Sequence, residues 1–434
     1  MGPTVRVAEG FSLLAGGDWI MPYPIAPLAG TDEGVAGVAA AFRASTVGFV
    51  NLETNLLDLP LAGAAPRVVD DWCLTSSPAI AADLAAMNVR LVSRANNHAM
   101  DWGVAGLRAT GRHLEDAGVV HAGVGETLAD ARAPRYVTTA QGRVGIVSVY
   151  PTRVFDPDAA LDPFGRVPGR PGANALRLRR VVSMPDAELD AIRGAARAID
   201  PDGQLTTPDE PLAIDDTRFE PGDALAVRYD PDPEDLRQIL RAVRAGAQHG
   251  DLLVVTVHAH QEGTEADTPP AFLQALARAC IDEGAGAFIG HGVHRLWPVE
   301  VYRERPICYG IGNAAFSDIQ EPLHGAMFRF GLDKMPEGTD PARVTDAEAN
   351  AAAIGPYFDD DRFYGSVLVR LEMADGALRA AVVPLDLRRG HALTIRGVPR
   401  LADPDQAAGI CKRLDAMSAP FGTAVGEDGA ILAR

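Results

Sequence analysis

The sequence predicts an α/β fold, and three observations carry the prediction. Apolar runs of four to six residues, bounded by Gly and polar residues, recur along the chain and read as strands buried on both faces. Segments of helical period stand between them, the alternation that builds a largely parallel sheet. Five of the runs end in residues able to bind a metal. Residues 11–15 lead to Gly16-Gly17-Asp18, 47–50 to Asn51-Leu52-Glu53, 89–93 to Asn96-Asn97-His98, 252–257 to His258-Ala259-His260, and 286–290 to His291-Gly292-Val293-His294. Ligands in such sheets collect at the carboxyl ends of the strands, so one divalent-metal site is expected there.

In chain order, residues 78–87 read as a helix before the strand at Val89, and 106–117 as another, with Leu107, Thr110, Gly111 and Leu114 on one face and Gly118 as a stop. Residues 136–140 and 144–150, joined by a Gln141-Gly142 turn, read as a strand pair. From 151 to about 231 Pro, Gly, Asp and Arg dominate and the periodicity breaks, as in an inserted unit or lid. A short helix at 189–199 is the one element expected inside it. Residues 235–249 form an amphipathic helix, with Leu236, Ile239, Leu240 and Val243 on one face, delivering the chain to the strand at Leu252. A helix at 269–283, the strand after Gly286 and strands at 299–302 and 307–310 follow. A second irregular, acidic stretch runs to about Arg362, then strands at 366–371 and 377–384 and a closing helix at 404–417.

A chain of 434 residues holds one large α/β unit with insertions, or two domains. No uninterrupted apolar stretch of about 18 residues occurs, so no membrane span is expected. The N-terminus, Met1-Gly2-Pro3-Thr4-Val5-Arg6, lacks the apolar core of a secretory signal, and the expected location is cytoplasmic. A formal charge of −18 argues against nonspecific binding to nucleic acid. Lys334 and Lys412 are the only lysines, and no Gly-rich loop ends in Lys-Ser or Lys-Thr. Cys73, Cys280, Cys308 and Cys411 lie far apart and form no disulfide framework; Cys280, in a helical stretch, reads as core.

Asp18, Glu53, Asn97, His258, His291 and His294 supply the carboxylate, amide and imidazole mixture that holds water-activating divalent metals. Gly17-Asp18, Asn51-Leu52-Glu53, Ala95-Asn96-Asn97-His98-x-x-Asp101, His258 and Gly290-His291-x-x-His294, followed by Pro306 to Asn313 with its Gly312-Asn313 turn, resemble the CapA family. This is the poly-γ-glutamate capsule biosynthesis group, related to calcineurin-like metallophosphoesterases. The resemblance covers residues 11–316. It implies a four-layer, metallophosphatase-like αββα sandwich over residues 1–330, with an irregular insertion at about 151–231 and a C-terminal extension over 331–434 that completes the same domain.

The resemblance also implies two divalent ions, Mn, Zn or Fe. Carried onto this sequence, Asp18 and His294 would hold one ion, with Glu53 bridging, and Asn97, His258 and His291 the other. His98 would be a general acid or stabilise the leaving group. Asp101 would orient His98 or cap the helix that starts at Trp102. Two departures stand out. The phosphoesterase pattern places His two residues after the first Asp, where this chain has Ile20, and the family's His-Trp-Gly-x-Glu reads His258-Ala259-His260-Gln261-Glu262 here. Glu262 keeps the acidic position. His260 is extra and is open to three roles: the missing nitrogen ligand, an acid/base, or a solvent-facing residue.

Two metals about 3.5–4 Å apart can share a hydroxide and polarise a phosphoryl or carbonyl oxygen. That chemistry fits hydrolysis of a phosphoester or amide in a small anionic or peptide-like substrate. It also fits proton exchange next to a carbonyl, as in peptide epimerisation, with His98, His260 and Glu262 as proton-moving candidates. A non-catalytic accessory role in polymer synthesis or export is the reading from outside enzymology. Arg94, beside the Asn96-Asn97-His98 motif, and Arg170, in an insertion that also carries Arg177, Arg179 and Arg180, are candidates to grip an anion. A solvated loop balancing an acidic protein is the alternative for the insertion. Trp72, Trp102 and Trp297 would wall the pocket or belong to the core.

Overall fold

The computed structural model describes residues 5–58, 63–67, 73–154, 156–200, 202, 206–207, 212–263, 267–317, 325–354 and 360–434. Two sheets carry the architecture. The first has the spatial order Arg400–Leu401, Ala377–Asp386, Gly365–Ala374, Ser12–Ile20, Val47–Leu52, Val89–Ser93, Val120–Ala122. From Ser12–Ile20 onward its neighbours are parallel, while the hairpin Gly365–Ala374 and Ala377–Asp386 joins antiparallel. Asn313–Phe316 pairs with the carboxyl end of Ser12–Ile20. The second sheet is built on Gly142–Arg153, Leu252–His258, Ala287–His291 and Arg305–Cys308, parallel in that order.

Alternation along these strands assigns the layers. Leu13, Ala15, Phe49 and Leu91 of the first sheet meet Val144, Ile146, Leu252, Val254 and Ile289 of the second in one core between the sheets. The outer face of the first sheet, Leu14, Val50, Val89 and Val92, packs on Val35, Val38 and Phe42 of helix Glu33–Ala44 and on Ile80 and Leu84 of helix Ala79–Ala86. The outer face of the second, Val147, Leu253, Val255 and Phe288, packs on Ile239 and Val243 of helix Pro233–His249 and on Phe272, Leu276 and Cys280 of helix Ala271–Asp282. The result is the expected four-layer αββα sandwich, and Cys280 is core. Each such side chain removed from water contributes about 1.5–3 kcal/mol, which is why strands apolar on both faces settle in the middle layers.

The stretch that reads as irregular in sequence contains regular structure. Ala175–Met184 pairs parallel with Gly142–Arg153, and Thr217–Pro221 and Ala226–Pro231 flank it. Its arginines hid it: Arg179 and Arg180 are exposed, and Arg177 reaches Asp235 at the start of Pro233–His249, Nε to Oδ2 2.6 Å. Among the described residues, no helix is long and apolar enough to cross a membrane.

Candidate metal centre

The centre forms where the carboxyl ends of the two sheets meet. Asp18 pairs in register with Asn51 on one side and Asn313 on the other, and His258 lies beside His291 in the second sheet. Asp18 is inside its strand rather than past its end, because the register shifts between Ala15 and Asp18, a bulge that re-aims the side chain. Gly17 permits this: a Cβ there would lie 1.8 Å from the Gly312 carbonyl oxygen. His294 has φ +57°, a left-handed conformation rare for a residue with a side chain.

Every residue of the expected ligand set converges. Asp18 Oδ1 accepts from Asn51 Nδ2 at 2.8 Å and lies 3.4 Å from His258 Nδ1 and 3.3 Å from His291 Nδ1. Its Oδ2 accepts from the Gly292 amide at 2.9 Å and is 3.2 Å from His294 Nδ1. Glu53 Oε1 lies 3.3 Å from His258 Nε2 and 3.9 Å from both His294 Nε2 and His98 Nε2. Yet Glu53 is wholly buried, and neither of its oxygens accepts a hydrogen bond among the described residues. Asn97 Oδ1 is 2.8 Å from His258 Nε2.

Three groups of ligand atoms lie close enough to surround an ion: Asp18 with His258 and His291; Glu53 with His258 and His260; and Asp18 with Glu53 and His294. Asp18, Glu53 and His258 each belong to two of them. The third group reproduces the expected trio of Asp18, Glu53 and His294, whereas the ligands expected for the second ion divide. Asn97 faces His258 Nε2 whereas His291 Nδ1 faces His258 Nδ1 at 3.0 Å, so Asn97 and His291 sit on opposite nitrogens of one ring. Buried imidazoles and carboxylates with an unbonded carboxylate among them are a donor set that fits a divalent metal.

The electrostatics follow from burial among opposite charges. Burial alone would raise the Asp18 carboxyl, but hydrogen bonds from His258, His291 and His294 hold it well below the usual range. Burial likewise opposes charge on His258, and Glu53 and Asp18 overcome it, raising the imidazole to about 10. His260 stands at the exposed rim of the centre, where desolvation of the ring toward the cluster and the neighbouring charges of His258 and His294 lower it below its ordinary value.

His98 Nδ1 is 2.7 Å from Asp101 Oδ2, which also accepts from the Leu74 amide at 2.6 Å. Asp101 therefore orients His98 and does not cap the following helix, whose N-cap is Trp102 without a side-chain bond. Ile20 is buried in an apolar cluster with Leu74, Phe316 and Tyr364. His260 Nε2 instead reaches the centre, 2.9 Å from His258 Nε2 and 3.3 Å from Asn97 Oδ1.

Three expectations are corrected. Glu262 pairs with Arg295, Oε1 to Nη2 2.8 Å, and is absent from the cluster of ligand atoms. Arg170 spends its donors on the carbonyls of Ala159 and Asp156, pinning the insertion. Arg94 is buried on the other side of its strand, where its Nη2 donates to the Leu107 carbonyl at 2.8 Å. Val92 faces the outer helix layer, and alternation carries Arg94, two residues on, to that same outer side. Trp297 is core and Trp102 is buried with Leu57 and Ala109; Trp72 lies outside the described residues.

The family model of the bacterial capsule synthesis protein PGA_cap matches residues 12–318. The chain belongs to this family. The capsule synthesis resemblance read from the motifs is thereby borne out. Protein y4sH of Sinorhizobium fredii is 38% identical over 428 residues, 97% of this chain and 92% of its own. The PGA biosynthesis protein CapA of Bacillus subtilis is 32% identical over 130 residues, 30% of this chain and 33% of its own. Among solved structures, the NAD nucleotidase of Haemophilus influenzae aligns over 93% of this chain and 62% of its own, with a TM-score of 0.32 and 11% identity. The sandwich rests on the layers themselves.

Within this capsule synthesis fold, four polar residues hold the ligand side chains: Asn51, Asn96 and Asn313, which belong to the sequence motifs, and Thr256, which does not. Thr256 Oγ1 is 2.6 Å from His291 Nε2, and Asn313 Oδ1 is 2.8 Å from His294 Nδ1. Asn96 donates to Asn51 Oδ1 at 3.2 Å and to the Leu52 carbonyl at 2.9 Å, while Asn51 in turn holds Asp18. Position two residues before a strand-end His was the one available signal for Thr256.

Proposed function

We propose that this capsule synthesis family member is a metal-dependent hydrolase that uses two divalent ions on a small anionic phosphoester or peptide-like amide. Glu53 is the observation that carries the reading. A buried carboxylate whose oxygens accept no hydrogen bond is compensated only in part by the His258 ring 3.3 Å away, and cations shared with His258, His260 and His294 would complete the compensation. That Asp18, Glu53 and His258 each serve two groups supports a pair of adjacent ions. When bound, such ions supply Lewis-acid polarisation and a hydroxide at neutral pH.

The chain's own groups do the rest. Asp101 fixes His98 Nδ1, so the opposite nitrogen faces Glu53 and the ligand cluster. The Asp101 charge raises His98 against the effect of its burial, and the position of the ring suits a general acid for a leaving group. Asn96 Oδ1 accepts from the His98 amide at 3.2 Å and so holds the loop that presents it. Metal analysis of purified protein, followed by a pooled screen of aryl phosphates, phosphodiesters and γ- and α-linked peptides, tests the reading. Close to two equivalents and turnover of one class are expected. Protein carrying no metal, or solvent deuterium entering a peptide α-carbon without cleavage, would overturn hydrolysis.

A further inference from the structure

Away from the metal centre, a cavity of about 570 Å³ opens beside the edge strand Val120–Ala122, between helix Gly103–Asp116 and the segment around residue 130. None of the candidate ligands lines it. Arg94 does, and its situation is unusual for a guanidinium. Its residue is only 2% exposed, and its one hydrogen bond is Nη2 to the Leu107 carbonyl. It forms no ion pair among the described residues. A buried charge is ordinarily paired with an opposite one.

His121 shares the cavity wall. A Cβ built on Gly111 would sit 3.4 Å from Arg94 Nη1 and 3.5 Å from His121 Nε2, so both groups converge over a helical glycine. The other basic groups at the mouth are engaged or exposed. Arg108 holds Glu126 at 2.6 Å, Arg135 pairs with Asp130, and Arg112 is exposed. The remaining carboxylate, Glu115, is largely exposed and lies 3.5 Å from His121 Nε2. Burial, with the charges of Arg94 and Arg135, pushes His121 down to about 3, so at neutral pH it is an uncharged donor beside a charged one. A fork of guanidinium donors with a neutral N–H beside it matches an oxyanion.

We infer that this cavity is a second ligand site, distinct from the metal centre, which binds the phosphate or carboxylate group of a small molecule through Arg94 and His121 above Gly111. Gly111 keeps the floor clear, and Arg94 supplies the charge.

The test uses the metal-loaded protein and two probes, inorganic phosphate and succinate, in calorimetric titrations of wild type, Arg94→Met and Gly111→Met. Gly111→Met fills the cavity from a helix position where Met has a higher helix propensity than Gly, and circular dichroism with a thermal unfolding midpoint establishes that each variant is folded before it is titrated. One binding event is expected to weaken by about tenfold or more in each variant, as for loss of a charge-assisted contact. Metal content should stay at the wild-type value. The probe that loses this event identifies the group as phosphate or carboxylate. Equal affinity and stoichiometry in wild type and Gly111→Met for both probes, or no event beyond the metal centre in wild type, would overturn the site.

Discussion

The two sheets bring different chemistry to one point. The first and its attached loops supply Asp18, Asn51, Glu53, Asn96, Asn97 and His98, together with Asn313 from a strand paired to it; the second supplies Thr256, His258, His260, His291 and His294. All the carboxylates of the centre come from one side and all but one of the imidazoles from the other. Neither sheet holds a complete donor group: each of the three groups combines a carboxylate of the first with a histidine of the second. The centre is therefore a property of the sandwich, and the apolar core between the sheets sets its distances.

Breaking one side at a time sharpens that contrast. Asp18→Ala removes the first sheet's anchor, a carboxylate that accepts from the Gly292 amide and Asn51 and faces three histidines. It should cost about 3–5 kcal/mol in urea unfolding, the usual price of breaking a buried pair, and lower metal content by at least one equivalent. His258→Ala, on the second sheet, should lower metal content as much. Full metal occupancy in either variant would refute the view that the centre needs both sheets.

A smaller effect is expected behind the second sheet's ligands. Thr256→Val removes the hydroxyl 2.6 Å from His291 Nε2 and should weaken metal binding by about 10–100-fold, as loss of an orienting partner does. Competition with a chromogenic chelator measures it, and unchanged affinity would mean that Asp18 and His258 alone aim His291.

The smallest effect lies away from the centre and serves as its control. Asp32 caps helix Glu33–Ala44 through the amides of Gly34 and Val35 and pairs with Arg388 at 2.6 Å. The Arg388 bond, against some desolvation, lowers its carboxyl to about 2. A depressed carboxyl stabilises the fold above its unfolded value and loses that contribution as pH falls through the folded one. Asp32→Ala should thus cost about 2 kcal/mol at neutral pH, with the gap to wild type narrowing as pH drops below about 4, and metal content unchanged. A pH-independent gap would remove the ion pair from the account.

Much of this was legible in sequence because strand alternation and strand-end polarity are local signals. Runs such as Leu252 to Val257 are apolar on both faces, which demands a layer above and below. The insertion strand Ala175–Met184 was not legible, since it exposes Arg179 and Arg180 and its Arg177 reaches a partner, Asp235, distant in sequence. Arg94, Arg170 and Glu262 were misread for a related reason: closeness in sequence to a motif does not decide which way a side chain points.

By itself the sequence determined the α/β class, the family and the set of residues that meet at the strand ends, because each depends on residue type and spacing along the chain. Only the tertiary structure decided how those residues group. It put Asn97 and His291 on opposite nitrogens of His258, brought His260 in where Ile20 turns away, and sent Arg94 to a cavity of its own. Those outcomes depend on the packing of two sheets against each other, and that packing is set by contacts between residues far apart in the chain.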